Sequence, residues 1–192
     1  TRLVNQVLDM AKIEAGHAEW HNTDVDLAAL IRQAAQTVHE MLRERGAELV
    51  LELPERVPLL RADPDRLTQV LLNLLSNAGK FVPREGGRIV VRLHCDAAGA
   101  TVEVQDNGPG VPAAQRALIF EKFRQGGSAS QRPQGTGLGL PISRQIVEHF
   151  GGRMELRPDT GQGACFAFTL PWLSTPEPAS VDAATASAGD KT

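Results

Sequence analysis

The stretch from Asp65 to Phe81 constrains this chain more than any other. Leu67, Val70, Leu71, Leu74, Ala78 and Phe81 recur at helical spacing and form an apolar stripe. Asn73, Asn77 and Lys80 stand at i, i+4 and i+7 and line a second face. The spacing predicts a helix over residues 64–81 that packs on a sheet by one side. Two amide oxygens beside a lysine suit a hydrated Mg²⁺ and its polyphosphate, because hard cations take oxygen ligands and Mg²⁺ keeps several waters. A plain solvated helix face explains the same residues equally well until three later motifs are read with it.

Asp106-Asn107-Gly108-Pro109-Gly110 follows the alternating run Thr101–Gln105, which predicts a strand with Val102 and Val104 inward. A carboxylate at a strand end can accept from an exocyclic amine such as that of adenine. Glycines at 108 and 110 let a ligand approach the backbone, although an ordinary Asn-Gly turn has the same signature. Gly135-Thr136-Gly137-Leu138-Gly139-Leu140 precedes a helix that begins with Pro141 and stops at Gly151-Gly152. Backbone N–H groups at such a helix start attract phosphate oxygens. No Lys-Ser or Lys-Thr follows, so this is not a P-loop. The Gly-, Ser- and Gln-rich residues 124–134 suit a mobile lid or a surface loop. Ile119-Phe120-Glu121-Lys122-Phe123 lies at the base of that segment. Its two aromatics, in a chain with six Phe and no Tyr, are expected to anchor it as a small core element.

In order and spacing these four segments resemble the asparagine, first glycine, phenylalanine and second glycine boxes of bacterial sensor histidine kinases. That family belongs to a superfamily with Hsp90, DNA gyrase B and MutL. The match covers about residues 24–171. The resemblance implies a two-layer α/β sandwich, the Bergerat ATP-binding fold, with a mixed sheet covered by helices on one face. It implies ATP and Mg²⁺ as ligands: Asn77 on the metal, Asn73 supporting the metal or its water, and Lys80 on phosphate oxygens. Asp106 would read the adenine amine, with Gly108, Gly110 and Phe120 shaping the pocket. Gly135, Thr136, Gly137 and Gly139 would meet the phosphates, and Leu138 and Leu140 would wall the pocket or pack the core. Arg124 and Arg132 either reach the γ-phosphate or are solvated. The implied partners are an upstream dimerisation and phosphoacceptor domain, homodimeric when intact, and a response regulator receiver domain. The implied location is the cytoplasm, either as a free protein or as the cytoplasmic portion of a membrane-anchored kinase. A degenerate nucleotide-binding scaffold and an anti-sigma-type serine kinase are alternatives on the same fold.

Relatives that hydrolyse ATP carry a glutamate four residues before the metal-binding Asn. Here that position is Asn73, and an amide cannot accept a proton at neutral pH. The usual phosphoacceptor motif, a histidine followed by an acidic residue and Thr-Pro, does not occur, so the acceptor is expected upstream. His17 and His21 read as linker residues more readily than as a metal pair. Gly79 stands where the family carries Ile, Val or Ala, which either leaves the adenine side roomier or softens the helix. Ala164-Cys165 replaces the family's Ser-Thr, and loss of that threonine from beside Asp106 predicts weaker nucleotide affinity.

Residues 1–16 read as the end of a dimerisation helix, with Leu3, Val7 and Met10 as a coiled-coil-like stripe for a partner helix. Residues 17–23 read as a linker, 24–173 as the catalytic domain, and 174–192 as a disordered tail too poor in apolar residues to fold. A short helix is expected over residues 112–118. A net charge of −3 argues against non-specific nucleic-acid binding. No apolar run is long enough to span a membrane. Cys95 and Cys165 fit neither a zinc motif nor a disulfide framework and read as reduced, buried thiols.

Overall fold

Helix α3 (Pro64–Phe81) begins where the chemistry of its first residues requires. Asp63 caps it by accepting from the N–H groups of Asp65 at 3.0 Å and Arg66 at 3.2 Å, and Pro64 occupies the first turn. The computed structural model describes residues 2–123, 136–158 and 162–172. Before α3 come α1 (Arg2–Glu14), β1 (Thr23–Val25), α2 (Leu27–Glu44), β2 (Ala47–Glu52) and β3 (Leu60–Ala62). After it come β4 (Gly87–Cys95), β5 (Gly99–Asp106), α4 (Gly139–His149), β6 (Arg153–Leu156) and β7 (Cys165–Pro171).

The main sheet has the order β2-β4-β5-β7-β6. β2 runs parallel to β4, and every other pair is antiparallel. β1 and β3 form a separate two-stranded ribbon, so the expected single sheet is in fact two. Ile89, Val91, Leu93, Val102, Val104, Phe168 and Leu170 point from the sheet into the core. They meet Leu67, Val70, Leu71, Leu74 and Leu75 of α3 and Ile142, Ile146 and Val147 of α4. Each fully buried aliphatic side chain here contributes roughly 1.5–3 kcal/mol. α4 ends in a Schellman arrangement: Gly151, at φ +73°, donates to Glu148 O, and Gly152 donates to Val147 O.

Four details depart from the sequence reading. Phe81 is 42% exposed; it lies on the last turn, past the sheet, and Leu75 takes its place in the stripe. Residues 112–118 make only a 3₁₀ turn at Ala113–Gln115 followed by further turns. Cys95 is half-buried, while Cys165 is buried.

The fourth departure concerns α1. Met10 is 5% exposed and belongs to the domain's own core, whereas Leu3, Val4, Val7 and Leu8 are exposed. Asp9 explains the rotation of the helix. It accepts from Arg66 at 2.6 Å and from Gln69 at 3.0 Å, both on α3. Glu14 pairs with Lys122 and accepts from Gln145 on α4. These polar contacts seat α1 on the domain with Met10 underneath. The stripe Leu3-Val7-Met10 is therefore split between two faces.

Candidate functional site

The apolar stripe of α3 faces the sheet, and Asn73, Asn77 and Lys80 follow the helix repeat along a half-exposed flank. Asn73 is held there by α4. Its Nδ2 donates to Gly139 O at 3.3 Å and to Ser143 Oγ at 3.1 Å. Asn77 has no side-chain hydrogen-bond partner among the described residues, which leaves its amide oxygen available. No group of three or more His, Cys, Asp or Glu among the described residues could cage a metal. The donor set present, amide oxygens without carboxylates, fits Mg²⁺ that arrives with a polyphosphate and keeps its waters. It does not fit a metal held by protein alone.

Asp106 ends β5 and is buried. Its Oδ1 accepts from the N–H of Gly108 at 2.8 Å and of Ala164 at 3.3 Å. Burial pushes the carboxyl above its ordinary pKa, and these two N–H donors pull it part of the way back. Oδ1 is thus occupied, and Oδ2 keeps acceptor capacity for an amine. Gly108 fits only as glycine, since a Cβ would lie 2.6 Å from Phe81 O at the end of α3. This contact joins the Asp106 loop to the asparagine helix. Gly110, at φ +74°, packs on Gly163.

Residues 136–140 divide among several tasks. Gly137 has φ +71° and accepts from Phe123 N at 3.2 Å, which closes the base of the segment. Gly139 touches Asn73. α4 has no side-chain N-cap, so its first N–H groups remain available to an anion. Leu138 is fully buried and Leu140 packs on the core, so packing is the role shown for both. Thr136 Oγ1 accepts from Leu138 N and donates to Gln6 on α1, so its hydroxyl is engaged by the helix. Phe120 packs edge-on against Phe166 with Arg144 over its ring. Phe123 differs from expectation: it is 63% exposed at φ +60°, and its ring makes no aromatic contact among the described residues. Gly135, Arg124 and Arg132 lie outside the described residues, as does the tail beyond residue 172.

One alternative for Gly79 and the expected contact of residue 165 with Asp106 are corrected. Gly79 faces α2, not the adenine side; a Cβ there would lie 2.6 Å from Leu42 Cδ2. The glycine lets two helices approach. Cys165 pairs in register with Gln105, so its side chain lies on the sheet face opposite to Asp106. The residue that meets Asp106 is Ala164, through its backbone.

A cavity of about 540 Å³ opens on another side of the Asp106 loop, lined by Gly108, Pro112, Arg116, Leu156, Arg157 and Gly163. It includes none of Asn73, Asn77 and Lys80. The sequence reading missed Ser143. The available signal was a hydroxyl on the apolar side of α4, one turn before Ile146 and Val147.

The family model described as histidine kinase-, DNA gyrase B-, and HSP90-like ATPase matches residues 62–174. The chain is 38% identical over 179 residues to the circadian input-output histidine kinase CikA of Synechococcus elongatus, across 92% of this chain and 24% of that protein. It therefore spans about a quarter of that relative's length. Full-length ShkA in complex with AMPPNP is similar at a TM-score of 0.77 and 35% identity, over 89% of this chain and 35% of that one. The nucleotide-free catalytic domain of histidine kinase ThkA is similar at a TM-score of 0.69 and 28% identity, over 79% of this chain and 96% of that one. ThkA in complex with the response regulator protein TrrA is similar at a TM-score of 0.67 and 26% identity, over 89% of this chain and 48% of that one.

Proposed function

The chain belongs to the histidine kinase-, DNA gyrase B- and HSP90-like ATPases and carries the ATP-binding catalytic domain of a histidine kinase; from that premise we propose which residues do the work and what they act on. Mg²⁺-ATP lies in the groove between α3, the loop after β5 and the start of α4. The observation that carries this reading is Asp106, a buried carboxylate with one oxygen fixed by two backbone N–H groups and held against α3 through Gly108.

Asp106 Oδ2 accepts from the adenine amine. Gly108 and Gly110 keep the pocket floor free of side chains. Asn77 and Asn73 present amide oxygens to the metal and its water, and Lys80 neutralises phosphate charge. The N–H groups opening α4 hold phosphate oxygens. Bound Mg²⁺ supplies charge neutralisation on the polyphosphate. The acceptor is a histidine on an upstream helical domain, of which residues 1–16 are the end. Its imidazole nitrogen attacks the γ-phosphorus as the bond to the β,γ-bridging oxygen breaks. ADP leaves, and the imidazole proton passes to solvent.

Asn73 fits this transfer better than hydrolysis, because it cannot deprotonate water and an imidazole needs no strong base. The phosphoryl group then passes to a response regulator, as the pairing of ThkA with TrrA suggests. No helix among the described residues is long and apolar enough to cross a membrane, and we place this domain in the cytoplasm, where ATP is.

Calorimetric titration with ADP and a non-hydrolysable ATP analogue, with and without Mg²⁺, tests the assignment. Micromolar binding that strengthens with Mg²⁺ is expected. Asp106→Asn should lose it in both conditions, and Asn77→Ala should lose the Mg²⁺ enhancement. A chain that binds nothing under any of these conditions would return the scaffold reading to the front.

A further inference from the structure

Ser143 is fully buried on α4, among Ile142, Ile146 and Val147. Its Oγ accepts from Asn73 Nδ2 at 3.1 Å, and the other proton of that amide goes to Gly139 O at 3.3 Å. A backbone carbonyl can only accept, so the atom of the Asn73 amide that faces Gly139 must be the nitrogen. Both amide protons are thereby committed to α4, and Oδ1 is the atom left over. Without Ser143 one proton would lose its partner, and the carboxamide, held by Gly139 O alone, could rock about that single contact.

We propose that Ser143 is a positioning residue for metal-dependent nucleotide binding. Together with Gly139 O it immobilises the Asn73 carboxamide with nitrogen toward α4, which leaves Oδ1 for the metal's water shell. The inference rests on the placement of Mg²⁺-ATP beside Asn73 and deepens it. A hydroxyl in an otherwise apolar helix face is costly unless it is hydrogen-bonded, and here its partner is an α3 residue that lines the groove. The same bond ties the start of α4, where phosphate would sit, to the helix that would meet the metal.

The test uses the whole chain and two readouts. In calorimetry with ADP, Ser143→Ala should reduce the Mg²⁺-dependent gain in affinity by about five- to tenfold, close to a 1.4 kcal/mol loss at the upper figure, while binding without metal stays within twofold. Ser143→Thr, which keeps the hydroxyl, should restore the gain. In ¹⁵N-edited NMR without nucleotide, the Asn73 side-chain amide protons should exchange slowly in the wild type and quickly in Ser143→Ala. The NMR arm decides the orientation even where Thr packs badly. An unchanged Mg²⁺ gain in Ser143→Ala, beside wild-type binding that responds to Mg²⁺, overturns this role alone. Wild-type chain that binds no nucleotide overturns the site and this role with it. Amide protons that exchange equally fast in both proteins overturn the locked orientation.

Discussion

A Cβ on Gly163 would lie 1.8 Å from the carbonyl oxygen of Asp106. The backbone of the turn before β7 thus rests directly on the strand end that carries the buried carboxylate. Gly163 also has φ +83°, a conformation that L side chains rarely adopt. Gly163→Ala should therefore push the turn away from Asp106 and break the Ala164 N–H contact. We expect a loss of at least about 2 kcal/mol, a Tm lower by roughly 4–8 °C, and nucleotide affinity reduced by more than the stability change explains. Thermal unfolding and calorimetry check both halves. Unchanged affinity would mean that the Ala164 contact is dispensable to Asp106.

Gly79→Ala sets helix propensity against packing. Alanine favours a helix interior by about 1 kcal/mol over glycine, yet the new methyl would lie 2.6 Å from Leu42 Cδ2. Leu42 is itself buried, and close-packed cores resist added methyl groups by about 1–3 kcal/mol. The net expectation is a destabilised protein. Leu42→Ala in the same chain should reverse the sign of the Gly79→Ala effect, giving a favourable coupling in a double-mutant cycle. A higher Tm in the single variant would show that Leu42 turns aside freely.

Cys165→Thr should leave nucleotide affinity within twofold, because the side chain lies across the sheet from Asp106. Tighter binding by fivefold or more would show that the hydroxyl reaches the pocket after all.

The same cysteine gives a pH prediction. Burial pushes the Cys165 thiol up to about 11, with Glu103 adding to the effect. The unfolded thiol loses its proton near its ordinary pKa of 9.0. Between those values the unfolded state binds fewer protons than the folded one, so stability falls as pH rises. The thiol's contribution is complete below pH 9 and is lost by about pH 11. The wild type should therefore lose stability more steeply than Cys165→Ser across that interval in urea unfolding. Comparing the two proteins removes the share due to Cys95, which is also raised by burial.

Met10→Ala should loosen α1 without melting the domain. Removing a buried methionine side chain costs about 2–5 kcal/mol where the structure cannot detach. α1 meets the domain along one side and leaves Leu3, Val4, Val7 and Leu8 exposed, so the effect should be local. Hydrogen exchange should accelerate across Arg2–Glu14 and stay slow in α3. Equal acceleration in both would show that α1 is an integral part of the domain core.

Elements whose limits are written in local chemistry were legible in the sequence. Asp63 and Pro64 mark the start of α3, and Gly151 and Gly152 mark the end of α4. Asp106 was legible because a carboxylate ends an alternating strand before glycines. The positions misread depend on neighbours distant in sequence. The outward turn of Cys165 follows from a register with β5, which one strand alone does not reveal. The purpose of Gly79 lies in α2, and that of Met10 in Asp9 reaching Arg66 and Gln69 across the fold. Ser143 is marked by its place on the apolar side of α4, but its role depends on Asn73, 70 residues away.

The parallel pairing of β2 with β4 has a kinetic consequence. Ala47 meets Gly87, and the intervening chain contains β3 and the whole of α3. Closing so long a loop costs entropy before any strand contact repays it. The β4–β5 hairpin, with its short connection at Asp96–Ala98, can form first and present a template. β2 joins that template by closing the loop that carries the intervening helix. The helix with the asparagines is thus bracketed by a slow, long-range closure, and a refolding chain should gain hairpin structure well before it gains a nucleotide site.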